Sequence, residues 1–141
     1  MKTRFLAIIM AVVFLFPCYQ GVNAASVQPY ASQYLSNYIA VLTAGNSSGK
    51  INIAFSVGGT TGTTTVGVQK AMIYKSNGSY VTTVYGSTTN GLLRTSTSYH
   101  SGTYTYSGVS GTSYYAVITV YAGNSSGSDT RTVTTNTVKA P

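Results

Sequence analysis

Few side chains in this 141-residue chain could take part in catalysis. The sequence contains one histidine, His100, and one acid, Asp129. Paired-carboxylate chemistry needs two acids, and a zinc site uses three or four protein ligands. A Ser-His-Asp triad could be drawn from these residues, but no nucleophile-elbow sequence accompanies them. We therefore expect a protein that is not an enzyme and has no metal or cofactor, in which His100 bonds to backbone.

Tyrosine is the residue that the chain has in excess, with 13 copies. The tyrosine side chain is large, stiff and amphipathic, and it is a favoured contact residue of sandwich-loop binders. A tyrosine ring on the surface can also stack on a sugar. Half-buried strand positions favour tyrosine as well. Two interpretations stay open at this point: a contact surface, or ordinary strand positions.

The beginning of the chain has the order of a secretory signal peptide. A basic start leads into an apolar stretch over 5–16 and then into the small residues around Ala24, which predicts a signal peptide over 1–24. The apolar stretch is shorter than the roughly 20 residues of a permanent membrane span. Leu15 and Cys18 loosely resemble a lipobox, so lipidation of Cys18 remains the alternative to its removal. If the signal is removed, the remaining chain has no cysteine and no disulfide.

Removal of residues 1–24 leaves a chain with a large excess of basic over acidic residues. Six basic residues then face one acid, which gives a net charge of about +5 at neutral pH. A scattered positive charge serves solubility, or it attracts an anionic polymer outside the cell. Nucleic acid is not expected, because no basic stripe or recognition motif is present. The six residues are Lys50, Lys70, Lys75, Arg94, Arg131 and Lys139.

The hexapeptide AGNSSG occurs twice, over 44–49 and over 122–127. Each copy lies between two apolar, β-branched runs, which is the pattern of a β-hairpin. Asn and Gly tolerate positive φ, and Ser bonds locally to the backbone, so both copies are predicted to be hairpin turns. Asn77-Gly78 predicts a third hairpin. The Asn-X-Ser triplets at these turns also fit the glycosylation pattern.

The remaining segments alternate apolar and polar residues, most clearly over 50–57, where every second residue from 51 to 57 is apolar and shares one face. The last strand is predicted over 129–138, the pattern breaks over 86–91, and no segment has a convincing helical period. About seven short strands separated by turn signals predict an antiparallel β-sandwich over 37–141. The segment 25–36 is a lead-in without a clear prediction, because Tyr30, Tyr34 and Tyr38 are spaced four apart as on a helix, whereas the serines between them fit a strand.

Residues 111–127 resemble the fibronectin type III pattern. Gly111-Thr112-Ser113-Tyr114 is followed by alternating apolar residues and then by the second AGNSSG, which contains Asn124 and Gly127. The resemblance implies an immunoglobulin-like sandwich, with Tyr114 as a tyrosine corner whose hydroxyl bonds to backbone a few residues upstream. It also implies that Phe55 fills the core position where the family has a tryptophan.

Over the length that follows the signal peptide, the chain also resembles a group of small secreted bacterial proteins of unassigned function. That likeness implies secretion and a single domain. It rests on Tyr34-Leu35, the segment 50–57, Ile73-Tyr74, Asn77-Gly78-Ser79, His100-Ser101-Gly102, Tyr106-Ser107-Gly108 and Ser128-Asp129-Thr130-Arg131.

The sequence predicts a secreted binding domain, extracellular or associated with the cell surface. We expect its partner to be an anionic cell-wall polymer, a carbohydrate or a surface protein. A self-assembling structural surface protein is the alternative, because the strand edges carry few charges. A cationic toxin or antimicrobial factor is a third possibility. Asp129 and Arg131 lie two apart on a predicted strand and are expected to form an exposed ion pair at its end.

Overall fold

The computed structural model describes residues 32–141. The predicted signal peptide, Cys18 and Tyr30 lie outside these residues. The described part is all-β, with nine strands and no helix, so it contains no helix that could cross a membrane. The strands are β1 (Leu35–Ala44), β2 (Lys50–Gly59), β3 (Thr65–Lys75), β4 (Tyr80–Tyr85), β5 (Leu93–Thr95), β6 (Tyr99–Ser107), β7 (Ser113–Asn124), β8 (Gly127–Thr134) and β9 (Val138–Lys139).

The strands form two antiparallel sheets that pack as a sandwich, which confirms the predicted fold class. The smaller sheet has the order β1-β2-β6. The larger sheet has the order β4-β3-β7-β8, with β5 also paired to β3 and β9 to β7. Because β2 and β3 follow each other along the chain but lie in different sheets, the connection between them passes from one sheet to the other.

The core lies between the sheets and follows from the alternation of the central strands. In β2 the inward residues Ile51, Ile53 and Val57 are fully buried, and Phe55 is nearly so. Facing them from β7 are buried small and β-branched residues at every second position from 116 to 122. Burying each large aliphatic side chain contributes about 1.5–3 kcal/mol, so this alternation fixes which face of each sheet is inside. Phe55 thus lies in the core, as expected.

The structure has nine strands rather than about seven because two short strands are added. β5 lies just after the predicted break over 86–91, in residues to which the sequence assigned no element. The predicted last strand over 129–138 is divided into β8 and β9, because the Thr135 hydroxyl accepts a hydrogen bond from the Ala116 backbone N–H and interrupts the ladder. β9 then pairs with the beginning of β7.

Both AGNSSG copies form hairpins, as predicted, but the two turns differ. In the second copy the ladder continues to Asn124 and Gly127, so only Ser125 and Ser126 form the loop. In the first copy pairing stops at Ala44, and Gly49 has a φ of 75°. A positive φ of this kind favours glycine. The Asn77-Gly78 hairpin also forms, with Gly78 at a φ of 86° and the Asn77 side chain accepting a bond from the Ser79 N–H.

Tyr114 connects the start of β7 to the loop before it. Its hydroxyl accepts a hydrogen bond from the backbone N–H of Val109 at 2.9 Å, five residues upstream. The ring is buried, and a side chain at Gly108 would approach it to 2.9 Å. This is the bond that the tyrosine-corner resemblance implies.

Asp129 does not pair with Arg131, contrary to the sequence-based expectation. The Asp129 carboxylate accepts hydrogen bonds from the Tyr34 backbone N–H at 2.6 Å and from the Ser32 hydroxyl at 2.8 Å. The Arg131 guanidinium bonds to the carbonyl of Thr130. Two residues on one face of a strand point the same way, but an acceptor with backbone N–H donors within reach is better satisfied by them. Asp129 therefore holds the lead-in of β1 against β8.

A side chain occupies the free edge of β1. The Asn136 carboxamide accepts from the Leu42 N–H and donates to the Leu42 carbonyl, both at 3.0 Å. It thus replaces one residue of a neighbouring strand on the side of β1 that faces away from β2. An edge strand presents unpaired backbone groups to other chains, and a contact of this kind reduces that exposure.

Candidate binding surface

Most tyrosines of the described residues lie outside the core. Four of the eleven pack in it or against it, namely Tyr34, Tyr104, Tyr106 and Tyr114. Strand propensity alone accounts for those four. The other seven need a further explanation, because a tyrosine on an outer face gains little burial from the fold. They are Tyr38, Tyr74, Tyr80, Tyr85, Tyr99, Tyr115 and Tyr121.

Three tyrosines form a row across the outer face of the larger sheet. Tyr74 on β3 lies opposite Tyr80 on β4 and opposite Tyr115 on β7. The rings of Tyr74 and Tyr115 are stacked, with centroids 5.3 Å apart and an interplanar angle of 11°. The rings of Tyr74 and Tyr80 meet edge to face at 5.7 Å. Such contacts favour a fixed ring arrangement, so the row presents a continuous aromatic strip.

The strip continues along β3, because residues two apart on a strand share a face. Met72 lies beside Tyr74 and accepts a weak hydrogen bond from its hydroxyl at 3.8 Å. Lys70, two residues further, lies opposite Tyr85, which is 72% exposed. We call this surface the tyrosine face and define it by Lys70, Met72, Tyr74, Tyr80, Tyr85 and Tyr115.

The tyrosine face carries a positive charge and no negative charge. Lys70 contributes a positive charge to it, and Asp129 is the only acid in the sequence. Asp129 lies opposite Ala122, whose side chain points into the core, so Asp129 is on the inward side of β8. Bonds from Tyr34 first, and then from Ser32, lower the pKa of Asp129 below its ordinary value. The negative charge is therefore kept away from the tyrosine face.

His100 and Asp129 occupy separate places in the described structure. The His100 Nε2 atom lies 2.7 Å from the Gly91 carbonyl oxygen, which confirms that this histidine bonds to backbone. Its ring packs edge-on against Phe55, with centroids 5.2 Å apart. Asp129 is engaged by the lead-in of β1 instead. Among residues 32–141, no three His, Cys, Asp or Glu side chains come together as metal ligands would.

The turn residues selected from the sequence have structural partners. Asn124 accepts a bond from the Ser126 N–H and donates from its amide to the Gly62 carbonyl, so it closes its own turn and attaches it to a second loop. Gly127 lies against the Tyr34 ring, where a side chain would approach the hydroxyl to 2.9 Å. None of these residues contributes to the tyrosine face.

A second feature, which sequence reasoning did not find, is a cleft of about 330 Å³ on the smaller sheet. It is lined by Asn37, Tyr38 and Ile39 of β1, Ser56 of β2 and Tyr99 of β6. The three strands are separated along the chain, and the antiparallel register places these residues together.

Comparisons of the chain with protein-family models, with curated proteins and with solved structures give no match.

Proposed function

We propose that this chain is a non-enzymatic binding domain that works outside the cell and attaches to an anionic polymer of the cell envelope or extracellular matrix through the tyrosine face. The observation that carries the proposal is the row of Tyr80, Tyr74 and Tyr115 across three adjacent strands, with Lys70 on the same face. Signal-peptide character at the start of the sequence supports the location.

A sheet face of this kind suits a long, extended partner better than a compact one. The three rings lie on neighbouring strands, which are about 4.8 Å apart, so the aromatic strip crosses roughly 10 Å of surface. Its rings offer apolar contact, and its hydroxyl groups offer hydrogen bonds. Tyr80 is 59% exposed, so much of its side chain is available to a partner.

The charge distribution supplies the attraction. A net charge of about +5 after removal of the signal peptide steers an anionic polymer toward the protein from a distance. Lys70 then lies at the point of contact, between Tyr85 and Thr119 in the sheet register. Because exposed charges are screened within about 8 Å at physiological salt, this contribution must weaken as salt rises.

The test is co-sedimentation of the purified protein with cell-wall material, with and without its anionic polymers, across a salt series. We expect binding that falls with salt and with removal of the anionic polymers. Lys70→Ala should weaken it, and Lys50→Ala is the matched control, because both substitutions remove one positive charge and Lys50 lies on the smaller sheet, away from the tyrosine face.

A second pair of variants separates ring contact from charge. Tyr80→Ala should weaken binding at every salt concentration, whereas Val109→Ala, at an equally exposed apolar position outside the tyrosine face, should not. Equal effects of the two lysine variants together with no effect of Tyr80→Ala would refute a role for this face. Absence of sedimentation in all conditions would refute polymer binding.

Self-assembly is a second candidate, and one observation favours it. The edge strands β4 and β6 carry neither a charged residue nor a proline, the usual devices against edge pairing. Light scattering of the purified protein should then show oligomers that grow with concentration, and Thr103→Lys should reduce them by placing a charge on β6. A strictly monomeric protein at high concentration would exclude this candidate.

A further inference from the structure

We propose that the cleft on the smaller sheet binds one neutral pyranose residue, independently of the tyrosine face. The cleft lies on the other sheet of the sandwich from the tyrosine face and shares no residue with it. The proposal therefore adds a second binding site of a different ligand class.

The cleft is built by side chains of three adjacent strands. In the register, Asn37, Gly58 and Tyr99 lie in one row across β1, β2 and β6. The next row on the same face of the sheet contains Ile39 and Ser56. A Cβ atom at Gly58 would collide with the Asn37 side chain, so the glycine lets the carboxamide lie over the central strand. The absence of a side chain at Gly58 thus makes room for the Asn37 carboxamide at the cleft.

A bulge in β1 sets the position of the residues at the cleft. The register between β1 and β2 shifts between Leu35 and Asn37, which makes Ser36 the extra residue. Bulges of this kind redirect side chains and are frequent beside binding sites. Leu35 is buried in the core, whereas Asn37 and Ile39, which would share its face in a regular strand, are exposed beyond the bulge.

The polar groups in the cleft offer hydrogen-bond donors and acceptors to a ligand. The Ser56 hydroxyl donates to the Tyr99 phenol oxygen at 3.0 Å. This bond, and a smaller contribution from Ser101, lowers the pKa of the Tyr99 phenol below its ordinary value. Since the phenol oxygen accepts that bond, its own O–H remains free to donate. The exposed Asn37 carboxamide can both donate and accept.

These lining groups match a neutral sugar. A pyranose has an edge of hydroxyl groups and a face of C–H bonds, and the negative π face of a tyrosine ring attracts such weakly positive hydrogens. Tyr99 is 56% exposed and Ile39 is 59% exposed, so apolar surface is available beside the polar groups. No lining residue is charged, so an anionic ligand would find no counter-charge. A volume of about 330 Å³ is at the low end of the range for ligand pockets, about 300–1,000 Å³, which suits a single ring.

The experiment is a titration of the isotope-labelled protein, followed by amide shifts in NMR spectra, with cellobiose and with N,N′-diacetylchitobiose. We expect saturable shifts in the millimolar range at Ile39, Ser56 and Tyr99 with at least one of the two sugars. Tyr99→Ala should weaken binding about tenfold or more, and Tyr99→Phe should weaken it less because the ring remains. The spectrum of each variant also shows that the protein is folded.

Tyr85→Ala is the matched control, since Tyr85 is an exposed tyrosine on the other sheet. It should leave the sugar titration unchanged, and so should Lys70→Ala, which impairs only the proposed polymer contact. Absence of saturable shifts with both sugars would overturn the proposal. So would shifts that map to the tyrosine face, or shifts that survive Tyr99→Ala. Loss of wall sedimentation in the Lys70 variant with intact sugar binding would separate the two sites.

Discussion

Replacing Asn136 by alanine should expose the edge of β1 and change both stability and association state. The carboxamide makes two hydrogen bonds to one residue, Leu42, and these are the bonds a neighbouring strand would make. The alanine side chain has no polar atoms, so both hydrogen bonds to Leu42 are lost. The side chain of Leu42 is 2% exposed and stays in the core, so the substitution acts on its backbone groups alone.

The expected loss of stability follows from the number of bonds. A typical intramolecular hydrogen bond contributes about 0.5–1.5 kcal/mol net, so the two bonds together contribute about 1–3 kcal/mol. Asn136 itself is exposed, so water can reach the Leu42 groups in the variant. We therefore expect the lower half of that range, about 1–2 kcal/mol.

The assay is urea denaturation with light scattering on the same samples. Asn136→Ala should lower the denaturation midpoint with little change in slope, and the freed edge should pair between molecules at high concentration. Asn52→Ala is the control, because Asn52 bonds to the Thr105 hydroxyl on the face of the sheet and not to an edge. A variant that loses less than about 0.5 kcal/mol and associates no more than the control would refute the reasoning.

Two further predictions concern the contacts that hold the sandwich together. Tyr114→Phe leaves the Val109 N–H without its acceptor and should lower the free energy of unfolding by about 0.5–1.5 kcal/mol in urea denaturation, because Val109 is exposed and water can reach its N–H; an unchanged midpoint would contradict this. Because bonds from Tyr34 and then Ser32 lower the pKa of Asp129, their contribution is complete above the ordinary value of about 3.9 and disappears as pH falls through the lowered pKa. The Tyr34 amide shift should follow this titration, and a midpoint at or above the ordinary value would contradict it.

The strand pattern was readable from the sequence because it is local. Alternation over 50–57 predicted which side of β2 is buried, and the structure agrees at Ile51, Ile53, Phe55 and Val57. Turn chemistry predicted the three hairpins for the same reason, since Asn, Gly and Ser act on their own backbone. The short strands β5 and β9 were not predicted, because two or three residues carry too little pattern to distinguish a strand from a loop.

The candidate sites were only partly readable. The excess of tyrosine pointed to a contact surface, but the sequence could not show which tyrosines share a face. Tyr74, Tyr80 and Tyr115 come from three strands, and the cleft brings Asn37 next to Tyr99 across the smaller sheet. Register between strands decides these neighbours, and it depends on pairing between residues far apart in the chain.

The repeated hexapeptide shows which features of a turn the sequence determined and which the tertiary structure determined. AGNSSG by itself determined a chain reversal, since both copies form hairpins. It did not determine the type of turn: Gly49 has a positive φ and donates to the Pro141 carbonyl, whereas Gly127 continues the ladder beside the Tyr34 ring. Six identical residues have identical local preferences, so the difference comes from these distant partners. The sequence determined the longer strands, their turns and an all-β class, while the tertiary structure decided the two short strands and which side chains meet on each face.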